Sequence, residues 1–560
     1  MGENLFDSLE GIAARDDGEA QWSARAPFRP TAEFDLMLVP RVRDWRQDAE
    51  ARAALARIAA APWAEAVVEQ GEQPRLRLSD EWVAAAGERL EQGGEAAGAH
   101  ADLVPGRRYA VYFWGANTTK ALHIGHLRNL AIGNAIGASL TQAGAAVEHR
   151  SLICDVGRSM GEAMAGIVEH SGRDQPDLGP DGSEKSDHFV GSCYAQYVTA
   201  GRQNGGDADG GEDSVAREEA LYNDKADELM MRVLAGDQEA LELWSKTRAW
   251  VIAGQRKTLA RLGIPFDKVI FESDFLPEVR EFTNRGLSEG TLTRRRGDEM
   301  VTYLTSREEL EEMPLVRADG LPTQHMRALA YWAAAPELDD VISLQVCGTE
   351  WVAHVTCRRQ LIDELGVGNG NGFGSAKGGG PPTHDVFHGM VAREREAITS
   401  SKEGALLVDD LAEWIEAEIA ADPVRAAIRA AHPQPEGLAA QVALGFFLLQ
   451  PMSKRVDFEP EKLLVDGASL GWDLARAQAR RGAAPADAAR DPQYRFAVVQ
   501  SENYRVHLRS AVETFDTLPL ARYLSHLARW YEDEERSPAV ERVVHSVLGQ
   551  GVEGLGLEGV

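Results

Sequence analysis

The residues of this 560-residue chain with the clearest chemical potential lie within ten consecutive positions. The segment Asn117-Thr-Thr-Lys120-Ala-Leu-His123-Ile-Gly125-His126 carries two histidines, a lysine and a glycine. Two imidazoles three residues apart at the start of a helix project on the same side, and the helix start adds free N–H groups and partial positive charge. Gly125 leaves room for a nucleotide to approach the backbone. With Lys120, these donors suit a triphosphate whose α-phosphate gains negative charge during attack.

Two other interpretations of the histidine pair are a metal site and two histidines with ordinary structural hydrogen bonds. Helical metal-binding pairs more often have a spacing of four residues, and the segment contains no Asp or Glu. The upstream Asn117 and Lys120 favour phosphate binding instead. The sequence therefore predicts ATP as ligand, with Mg²⁺ accompanying it and no protein metal site.

The elements around this segment predict a nucleotide-binding α/β unit. Arg108 to Trp114 is a buried-strand candidate, an apolar-periodic helix extends to Leu140, and Val147 to Cys154 resembles a second strand. A strand, loop, helix and strand in this order place a ligand beyond the carboxyl end of the first strand.

The rest of the chain divides by composition into further segments. Before the nucleotide-binding unit, a helix (48–61), a strand (74–80) and a second helix (81–90) predict a small N-terminal domain, and a Gly- and Ala-rich linker (91–106) follows. After it come a polar surface insertion (172–215), helices (216–262), strands (266–272, 301–305 and 340–347), a Gly-rich loop (366–382) and a mostly helical region from Leu406 onward.

Composition restricts the location and the partners. The formal net charge is −29, with 88 acidic and 59 basic residues, which disfavours non-specific binding of nucleic acid. No run of 18 apolar residues and no secretory signal at the N-terminus are present, so we expect a cytoplasmic protein without a membrane partner. Cys154, Cys193, Cys347 and Cys357 lack metal-site spacing and are expected to be buried thiols.

The segment around the histidines resembles the HIGH signature of class I aminoacyl-tRNA synthetases, and the chain looks most like arginyl-tRNA synthetases. Further similar segments are Cys154-Asp-Val-Gly157, Leu262-Gly-Ile264 with Phe266-Asp267, Phe458 to Arg476, Arg522 to Leu527 and the C-terminal Gly-Leu-Gly-Leu-Glu-Gly-Val. The resemblance implies an α/β fold: a Rossmann-like parallel-sheet catalytic domain (105–415, with an insertion around 172–260), then an α-helical, anticodon-binding-like bundle (416–560). A reduced α+β N-terminal domain with its linker would occupy residues 1–104.

The resemblance also assigns roles to individual residues. Lys120, His123 and His126 would be catalytic, joined by Lys402, the surviving cation of a degraded KMSKS-like segment (397–404). The expected ATP-binding residues are Gly125, Gly348, Glu350, His354, His388, Met390, Thr399, Ser400 and Ser401.

The expected amino-acid-binding residues depart from the arginyl pattern. They are Tyr112, Asn117, Asp155, Pro322, Met326 and Trp351. Tyr112, Pro322 and Met326 occupy positions where that family holds the guanidinium, partly with carboxylates, and Trp351 replaces a Gln. Removing one partner of a buried charge pair costs about 3–5 kcal/mol, so losing two acids corresponds to at least a ~1000-fold loss of arginine selectivity. We therefore expect a larger, more apolar pocket.

Three functions remain open from the sequence. The first is a tRNA synthetase that activates an amino acid as its adenylate, either diverged or an ordinary arginine–tRNA ligase, with tRNA as a possible partner. The second is a tRNA-independent ligase of a specialised-metabolite pathway that passes the acyl group to a small amine, a peptide or a carrier protein. The third is a non-catalytic regulatory relative, against which the intact set Lys120, His123 and His126 argues.

Overall fold

The computed structural model describes residues 4–14, 19–69, 71–91, 100–172, 184–203, 224–307, 310–335, 341–367, 382–393, 396–397, 406–480, 488–533 and 536–558. Most of the predicted Gly-rich loop (366–382) and most of the KMSKS-like segment lie outside these ranges. Within the described part, no helix combines the length and the apolar character needed to span a bilayer.

The N-terminal part is a small α+β unit, as the sequence predicts. Its elements are α1 (Leu5–Ala13), β1 (Trp22–Arg25), β2 (Leu36–Pro40), α2 (Ala49–Ala59), β3 (Ala64–Val68), β4 (Arg75–Leu78) and α3 (Asp80–Glu91). The four strands form an antiparallel sheet in the order β1-β2-β4-β3. The helix predicted at 48–61 corresponds to α2, whose N-terminus is capped by the Asp48 side chain.

A five-stranded parallel sheet forms the centre of the molecule. The elements of this part of the chain, in order, are β5 (Arg108–Tyr112), α4 (Ile124–Gln142), β6 (Ala146–Ile153), α5 (Arg158–His170), α6 (Ser186–Gln203), α7 (Lys225–Leu234), α8 (Gln238–Arg261) and β7 (Lys268–Phe271), followed by α9 (Leu276–Glu289), β8 (Thr293–Arg294), β9 (Val301–Arg307), β10 (Leu310–Val316), α10 (Gln324–Ala334), β11 (Ile342–Gly348), α11 (Val352–Leu365) and β12 (Thr383–His388). Strands β8, β9 and β10 are not part of the five-stranded sheet. The strand order is β12-β11-β5-β6-β7. The chain order reverses at β5, and a doubly wound sheet binds ligands at the carboxyl ends of the strands beside such a reversal. The predicted Rossmann-like sheet is therefore present.

Helix α4 packs closely on this sheet because two of its residues have no side chain. A Cβ atom on Gly133 would lie 2.1 Å from Cγ of Phe113, and one on Gly137 would lie 2.2 Å from Nε2 of His149. These residues follow or belong to β5 and β6. The glycines thus fix how near the start of α4 lies to the ends of the strands.

The prediction of a polar surface insertion at 172–215 is wrong for residues 186–203, which form α6. This helix buries Phe189, Val190, Cys193, Tyr194 and Val198 in an apolar cluster with residues of α5 and α8. These residues stand at i, i+1, i+4, i+5 and i+9, so the helical period is present in the sequence, and the polar composition around it led to the wrong prediction. Only the neighbouring helices complete the apolar face.

The C-terminal part is helical, as predicted. It begins with two short strands, β13 (Val391–Arg393) and β14 (Glu396–Ala397), and continues through α12 (Val408–Ala421), α13 (Pro423–Ala431), α14 (Leu438–Leu448), β15 (Val456–Asp457), α15 (Leu470–Ala479), α16 (Pro492–Thr514), α17 (Leu518–Glu532) and α18 (Pro538–Gly554). Two smaller sheets have the orders β10-β9-β8 and β14-β13-β15. Helices α14, α16 and α18 pack directly against α4, so the bundle supports the helix that carries the histidine pair.

Buried arginines join the N-terminal unit to the bundle. The Arg495 guanidinium donates to both carboxylate oxygens of Asp35, at 2.9 and 2.7 Å, and to Asp80 at 2.6 Å. Arg505 donates to Asp7 and to Asp102, each at 2.7 Å. Bidentate pairs of this kind fix orientation because the planar guanidinium matches a carboxylate.

All four cysteines are free thiols. Cys154, Cys193 and Cys357 are buried, as predicted, whereas Cys347 is half-buried. Burial raises the pKa of the Cys347 thiol to about 12, so it stays protonated at neutral pH.

Arg128 on α4 provides a stability prediction for the region behind the histidines. Its fully buried guanidinium donates to the carbonyl oxygens of Gly389 (2.6 Å), Lys454 (2.8 Å) and Pro451 (2.8 Å). Arg128→Met would leave these carbonyls buried without their donor, and we expect the free energy of unfolding to fall by about 3 kcal/mol. Urea denaturation measures this change. The half-exposed Arg455, paired with Asp457, is the control, and Arg455→Met should change stability by no more than ~0.5 kcal/mol. An equal effect of the two changes would contradict the prediction.

Candidate functional site

A cavity of about 450 Å³ opens at the carboxyl ends of β5 and β11, beside the point where the strand order reverses. It brings together most of the residues singled out from the sequence. Those that line it are Tyr112, Asn117, Lys120, His123, Gly125, His126, Gly348, Glu350, Trp351, His354, His388 and Met390.

The two histidines form a reciprocal cap at the start of α4. His123 is the N-cap residue, and its Nδ1 accepts the Gly125 N–H at 3.1 Å, while Nδ1 of His126 accepts the His123 N–H at 3.2 Å. The ring centroids are 3.8 Å apart. A neutral imidazole with an acceptor Nδ1 carries its proton on Nε2. Each ring therefore offers an Nε2–H donor on the side away from the helix.

Both rings are neutral at physiological pH. Burial, reinforced by the positive charge of Lys120, lowers the pKa of His126 to about 3 and lowers that of His123 well below its usual value. The pair therefore donates hydrogen bonds without carrying a full charge. A polyanion entering the cavity gains donors from it, and such donors stabilise developing negative charge when they are fixed in advance.

Lys120 supplies the titratable charge next to the histidines. Burial lowers its pKa to about 7, opposed by the negative charge of Glu162. Its Nζ lies 5.5 Å from the ring centroid of Tyr194, and Gly191 of the same helix, α6, lies against the start of its side chain. The sequence analysis missed Tyr194 because α6 was taken for part of a polar surface insertion, and it did not single out Glu162 of α5.

The opposite side of the α4 start is formed by the end of β12 and the residues that follow it. His388 is held between the Gly389 carbonyl, 3.0 Å from Nδ1, and Oδ1 of Asn129, 2.9 Å from Nε2. Burial lowers the pKa of His388 to about 4. Met390 follows with 39% of its surface exposed at the cavity. Asn129 was missed in the sequence, although it lies one turn after His126 on the same helical face.

The carboxyl end of β11 brings an acid to the cavity. Glu350 is exposed and folds back over Gly348, so that a Cβ atom there would lie 2.1 Å from the Glu350 Oε1. The His354 ring stacks on that of His325, with ring centroids 4.3 Å apart. The ring centroids of Trp351 and His354 are 5.7 Å apart.

Three predicted amino-acid-binding residues do not line the cavity. Asp155 is fully buried and engaged, accepting from Arg248 at 2.8 Å and from the Ser273 hydroxyl at 2.7 Å. Met326 is buried in an apolar cluster, and Pro322 precedes the same helix, α10.

The helical register of α10 explains why Pro322 and Met326 do not line the cavity. Residues at positions i, i+1, i+4 and i+8 share a helical face, and here they are Gln324, His325, Ala328 and Trp332, all of which line the cavity. The placement of Pro322 and Met326 was made without this register.

The deep side of the cavity combines aromatic and polar side chains that the sequence did not single out. Gln345 of β11 lies opposite Tyr112 in the sheet and accepts a hydrogen bond from Arg358 at 2.7 Å. The hydroxyl oxygens of Tyr112 and Tyr331 are 2.7 Å apart. The ring centroids of Tyr112 and Trp332 are 4.9 Å apart. The sequence could have indicated Arg358 as a cavity residue, because it follows His354 by four residues and lies on the same face of α11.

The residues of the KMSKS-like segment, Thr399, Ser400, Ser401 and Lys402, lie outside the described ranges. The chain that follows them is hydrogen-bonded to the start of α4. The Ile124 N–H donates to the Leu406 carbonyl at 3.1 Å, and the Val408 N–H donates to the Leu122 carbonyl at 2.9 Å.

Within the described residues, no group of three or more His, Cys, Asp or Glu side chains could hold a metal ion by itself. Mg²⁺ commonly binds through substrate phosphates with few protein ligands.

Comparison with known proteins shows what this architecture is similar to. No family model matches the chain. Arginine–tRNA ligases are among its relatives: that of Borrelia hermsii is 27% identical over 57% of this chain and 52% of its own length, and that of Treponema pallidum is 28% identical over 66% and 59%. A segment covering 40% of the chain and 37% of the Amoebophilus asiaticus ligase is 33% identical. The chain thus spans about half the length of the curated relatives it matches.

Two solved structures superpose on nearly the whole chain. The arginyl-tRNA synthetase of Thermus thermophilus superposes with a TM-score of 0.67 over 99% of both chains at 19% identity. That of Plasmodium falciparum gives 0.62 over 100% of this chain and 99% of its own, at 14% identity. The chain therefore has the fold of arginyl-tRNA synthetases and, among class I aminoacyl-tRNA synthetases, resembles the arginine–tRNA ligases in sequence.

Proposed function

We propose that this protein is an AMP-forming ligase that uses ATP, with Mg²⁺ on the phosphates, to activate the carboxylate of an amino acid. The observation that carries the proposal is the pair of neutral imidazoles at the start of α4, with Lys120 beside them, in a cavity at the reversal point of the sheet. Its similarity to arginine–tRNA ligases supports the same reaction class. Activation is assigned to residues 105–415 and acceptor recognition to residues 416–560.

The proposed reaction is an in-line displacement at the α-phosphorus. A carboxylate oxygen of the amino acid attacks, a new P–O bond forms, and the bond to the β,γ-pyrophosphate breaks. The Nε2–H groups of His123 and His126 and the Lys120 ammonium are placed to stabilise the charge that develops on the phosphate oxygens. In the second step an acceptor nucleophile attacks the carbonyl carbon, and AMP leaves with the bridging oxygen.

The nucleotide would lie along the start of α4, in the pose implied by the resemblance. Gly348 and Glu350 suit the ribose, since a carboxylate accepts from its hydroxyl groups. The exposed Met390 side chain and the Gly389–Val391 backbone suit the adenine. Lys402, Thr399, Ser400 and Ser401 remain proposed phosphate-side residues.

We further propose that arginine is not the preferred substrate. Asn117 and the α4 start can bind the groups common to all amino acids, but the deep side of the cavity presents Tyr112, Trp332 and Arg358. A guanidinium needs bidentate acceptors. Glu272, a carboxylate in this wall, is already bound by Arg327 at 2.7 Å.

The acceptor of the acyl group is either tRNA or another nucleophile. The helical bundle agrees with a tRNA partner. The net charge of −29 favours the second candidate, a small amine, a peptide or a carrier protein, because each phosphate contact of tRNA needs a basic partner. Release of AMP with total tRNA, compared with release in its absence, separates the two. A cytoplasmic location fits either acceptor.

The first prediction concerns the histidines. His123→Ala and His126→Ala should each slow ATP–pyrophosphate exchange about 30- to 1000-fold, since a lost oxyanion donor costs about 2–4 kcal/mol. His170→Ala, at the end of α5 and outside the cavity, is the control and should exchange at the wild-type rate. Exchange at the wild-type rate in either cavity variant would exclude the proposed ATP site.

The second prediction concerns pH. Because the pKa of Lys120 in the free enzyme is about 7, its charged form predominates below that value and is lost above it. We expect kcat/KM for ATP to fall about tenfold per pH unit above pH 7. Glu162, His123 and His126 are the ionisable groups that act on Lys120, and the two histidines stay neutral across this range.

The matched variants for this profile are Lys120→Ala and Lys402→Ala. Lys120→Ala should cause the larger loss of activity and abolish the decline above pH 7. Lys402→Ala should keep the decline above pH 7. The comparison of the two variants also controls for the titration of ATP itself, because ATP titrates equally in both assays. A larger loss from Lys402→Ala would assign the principal cation to the KMSKS-like segment.

The third prediction concerns selectivity. In ATP–pyrophosphate exchange with and without total tRNA, across the twenty amino acids at saturating ATP, arginine should not give the highest rate. An unpaired buried charged group costs about 1–3 kcal/mol or more, which lowers the exchange rate with arginine about tenfold or more. Arginine as the best substrate would refute this part of the proposal and leave the ATP assignment intact.

A further inference from the structure

Asn117 and Lys120 lie on the loop between β5 and α4, residues 113–123. Groups that act on a reacting phosphate must be held to within a fraction of an ångström, and side chains on loops are placed less precisely than those on helices or strands. The position of the loop backbone therefore has to be fixed by contacts with neighbouring elements.

Gln255 of α8 makes three hydrogen bonds to this loop. Its Nε2 donates to the carbonyl oxygens of Asn117 at 3.2 Å and of Lys120 at 2.8 Å. Its Oε1 accepts the indole N–H of Trp114 at 3.1 Å. The partners themselves fix the orientation of the amide, because an indole N–H can only donate and a carbonyl oxygen can only accept. Both hydrogens of the amide and its oxygen are thus used to hold one loop.

The location of Gln255 separates it from the ligand. The residue is fully buried and is not among the described residues that line the cavity, whereas Trp114, Asn117 and Lys120 all line it. Gln255 therefore acts on the cavity only through the backbone of the loop and the Trp114 ring. Breaking its hydrogen bonds would leave buried carbonyls without a donor, which is costly.

A second anchor holds the middle of the loop on the side of the sheet. The N–H and the hydroxyl of Thr118 both donate to the Cys154 carbonyl, at 3.2 and 3.0 Å, directly after β6. The backbone of the loop is thus fixed to the sheet by Thr118 and to α8 by Gln255. The Lys120 side chain starts from this fixed backbone, and its Nζ lies 5.5 Å from the ring centroid of Tyr194 on α6.

The helix that carries Gln255 is itself firmly attached. Arg248 of α8 donates to the Asp155 carboxylate at 2.8 Å, which ties the helix to the chain after β6. Gly254 allows α6 to approach closely, since a Cβ atom there would lie 2.2 Å from Oδ1 of Asp187. Gln255 is therefore presented by a rigid element that also packs against the helix beside Lys120.

On the basis of the proposed function, we propose that Gln255 is the residue that positions Asn117 and Lys120 for the reaction with ATP. It takes no part in the transfer to phosphorus. Its hydrogen bond to the Lys120 carbonyl sets the point from which the lysine side chain enters the cavity, and its bond to the Asn117 carbonyl sets the place of the asparagine. A misplacement of reacting groups by ~1 Å can lower a rate about 100-fold.

Two substitutions separate the contributions of the three hydrogen bonds. Gln255→Met has a similar length and removes all three, whereas Gln255→Glu keeps an acceptor for the Trp114 N–H and loses both donors to the carbonyls. In ATP–pyrophosphate exchange at pH 7, each should lower kcat about 10- to 100-fold. A wild-type kcat in either variant would overturn the inference.

Hydrogen–deuterium exchange measures the loop directly and needs no ATP. In both Gln255 variants, the amide hydrogens of residues 115–122 should exchange at least about tenfold faster than in the wild-type protein, because local opening no longer breaks these hydrogen bonds. Unchanged deuterium uptake in this segment would overturn the inference whatever the activity.

The pH profile gives a third measurement, which loss of global stability would not change. Burial holds the pKa of Lys120 at about 7. In Gln255→Met the lysine should gain contact with water, so the decline of kcat/KM should move to higher pH. Glu162 of α5 and the histidines at 123 and 126 of α4 remain as the ionisable groups that act on it. A decline at the wild-type pH would contradict the positioning of Lys120 by Gln255.

Gln500→Met is the matched control. Gln500 of α16 is also buried, and its Nε2 donates to the Pro27 carbonyl at 3.1 Å, away from the cavity. This variant should lose stability in urea denaturation and keep the wild-type kcat, pH profile and deuterium uptake of the loop. An equal loss of kcat in Gln500→Met would mean that any buried glutamine has this effect and would overturn the inference.

The failure of the proposed function would be recognised separately. If the wild-type protein neither binds a fluorescent ATP analogue nor catalyses exchange with any of the twenty amino acids, the proposed ATP-dependent activation fails. Deuterium uptake of the loop then still decides whether Gln255 fixes its backbone.

Discussion

The reciprocal cap at the start of α4 is the interaction on which the rest of the site depends. Nδ1 of each histidine is occupied by a backbone N–H of the same turn, which directs both Nε2–H groups away from the helix. Burial keeps both rings neutral. A helix start normally leaves its first N–H groups to be satisfied by a side chain or a ligand. Here the two histidines satisfy them and also carry the donors that the proposed function assigns to the phosphate.

The surrounding elements hold this cap at the ends of the strands. Glycines of α4 admit the side chains that follow β5 and belong to β6, and the buried Arg128 attaches the helix to the backbone after β12 and after α14. The chain that follows the KMSKS-like segment is hydrogen-bonded to residues 122 and 124. Movement of the helical bundle would therefore be transmitted to the histidines through several independent contacts.

The two sides of the cavity differ in how fully their basic side chains are charged at neutral pH. Near the start of α4, neutral donors surround Lys120, whose pKa of about 7 leaves it only partly charged at neutral pH in the free protein. Along the deep wall, the guanidinium of Arg358 keeps its charge despite burial. The charge of the lysine is therefore sensitive to an anion that enters the cavity, whereas the guanidinium is charged with or without a ligand.

The sequence by itself determined the part of this protein that we propose binds a nucleotide. The spacing of Lys120, His123 and His126 and the run of strand, loop, helix and strand are local features, so the period of apolar residues and the helix start could be recognised without tertiary information. The tertiary structure alone decided the composition of the deep wall of the cavity. Which residues of α10 face the cavity depends on the helical register, so Met326 is in the core and Trp332 in the wall. The packing of α6 against Lys120 likewise arises from contacts between residues far apart in the chain, which no local pattern encodes.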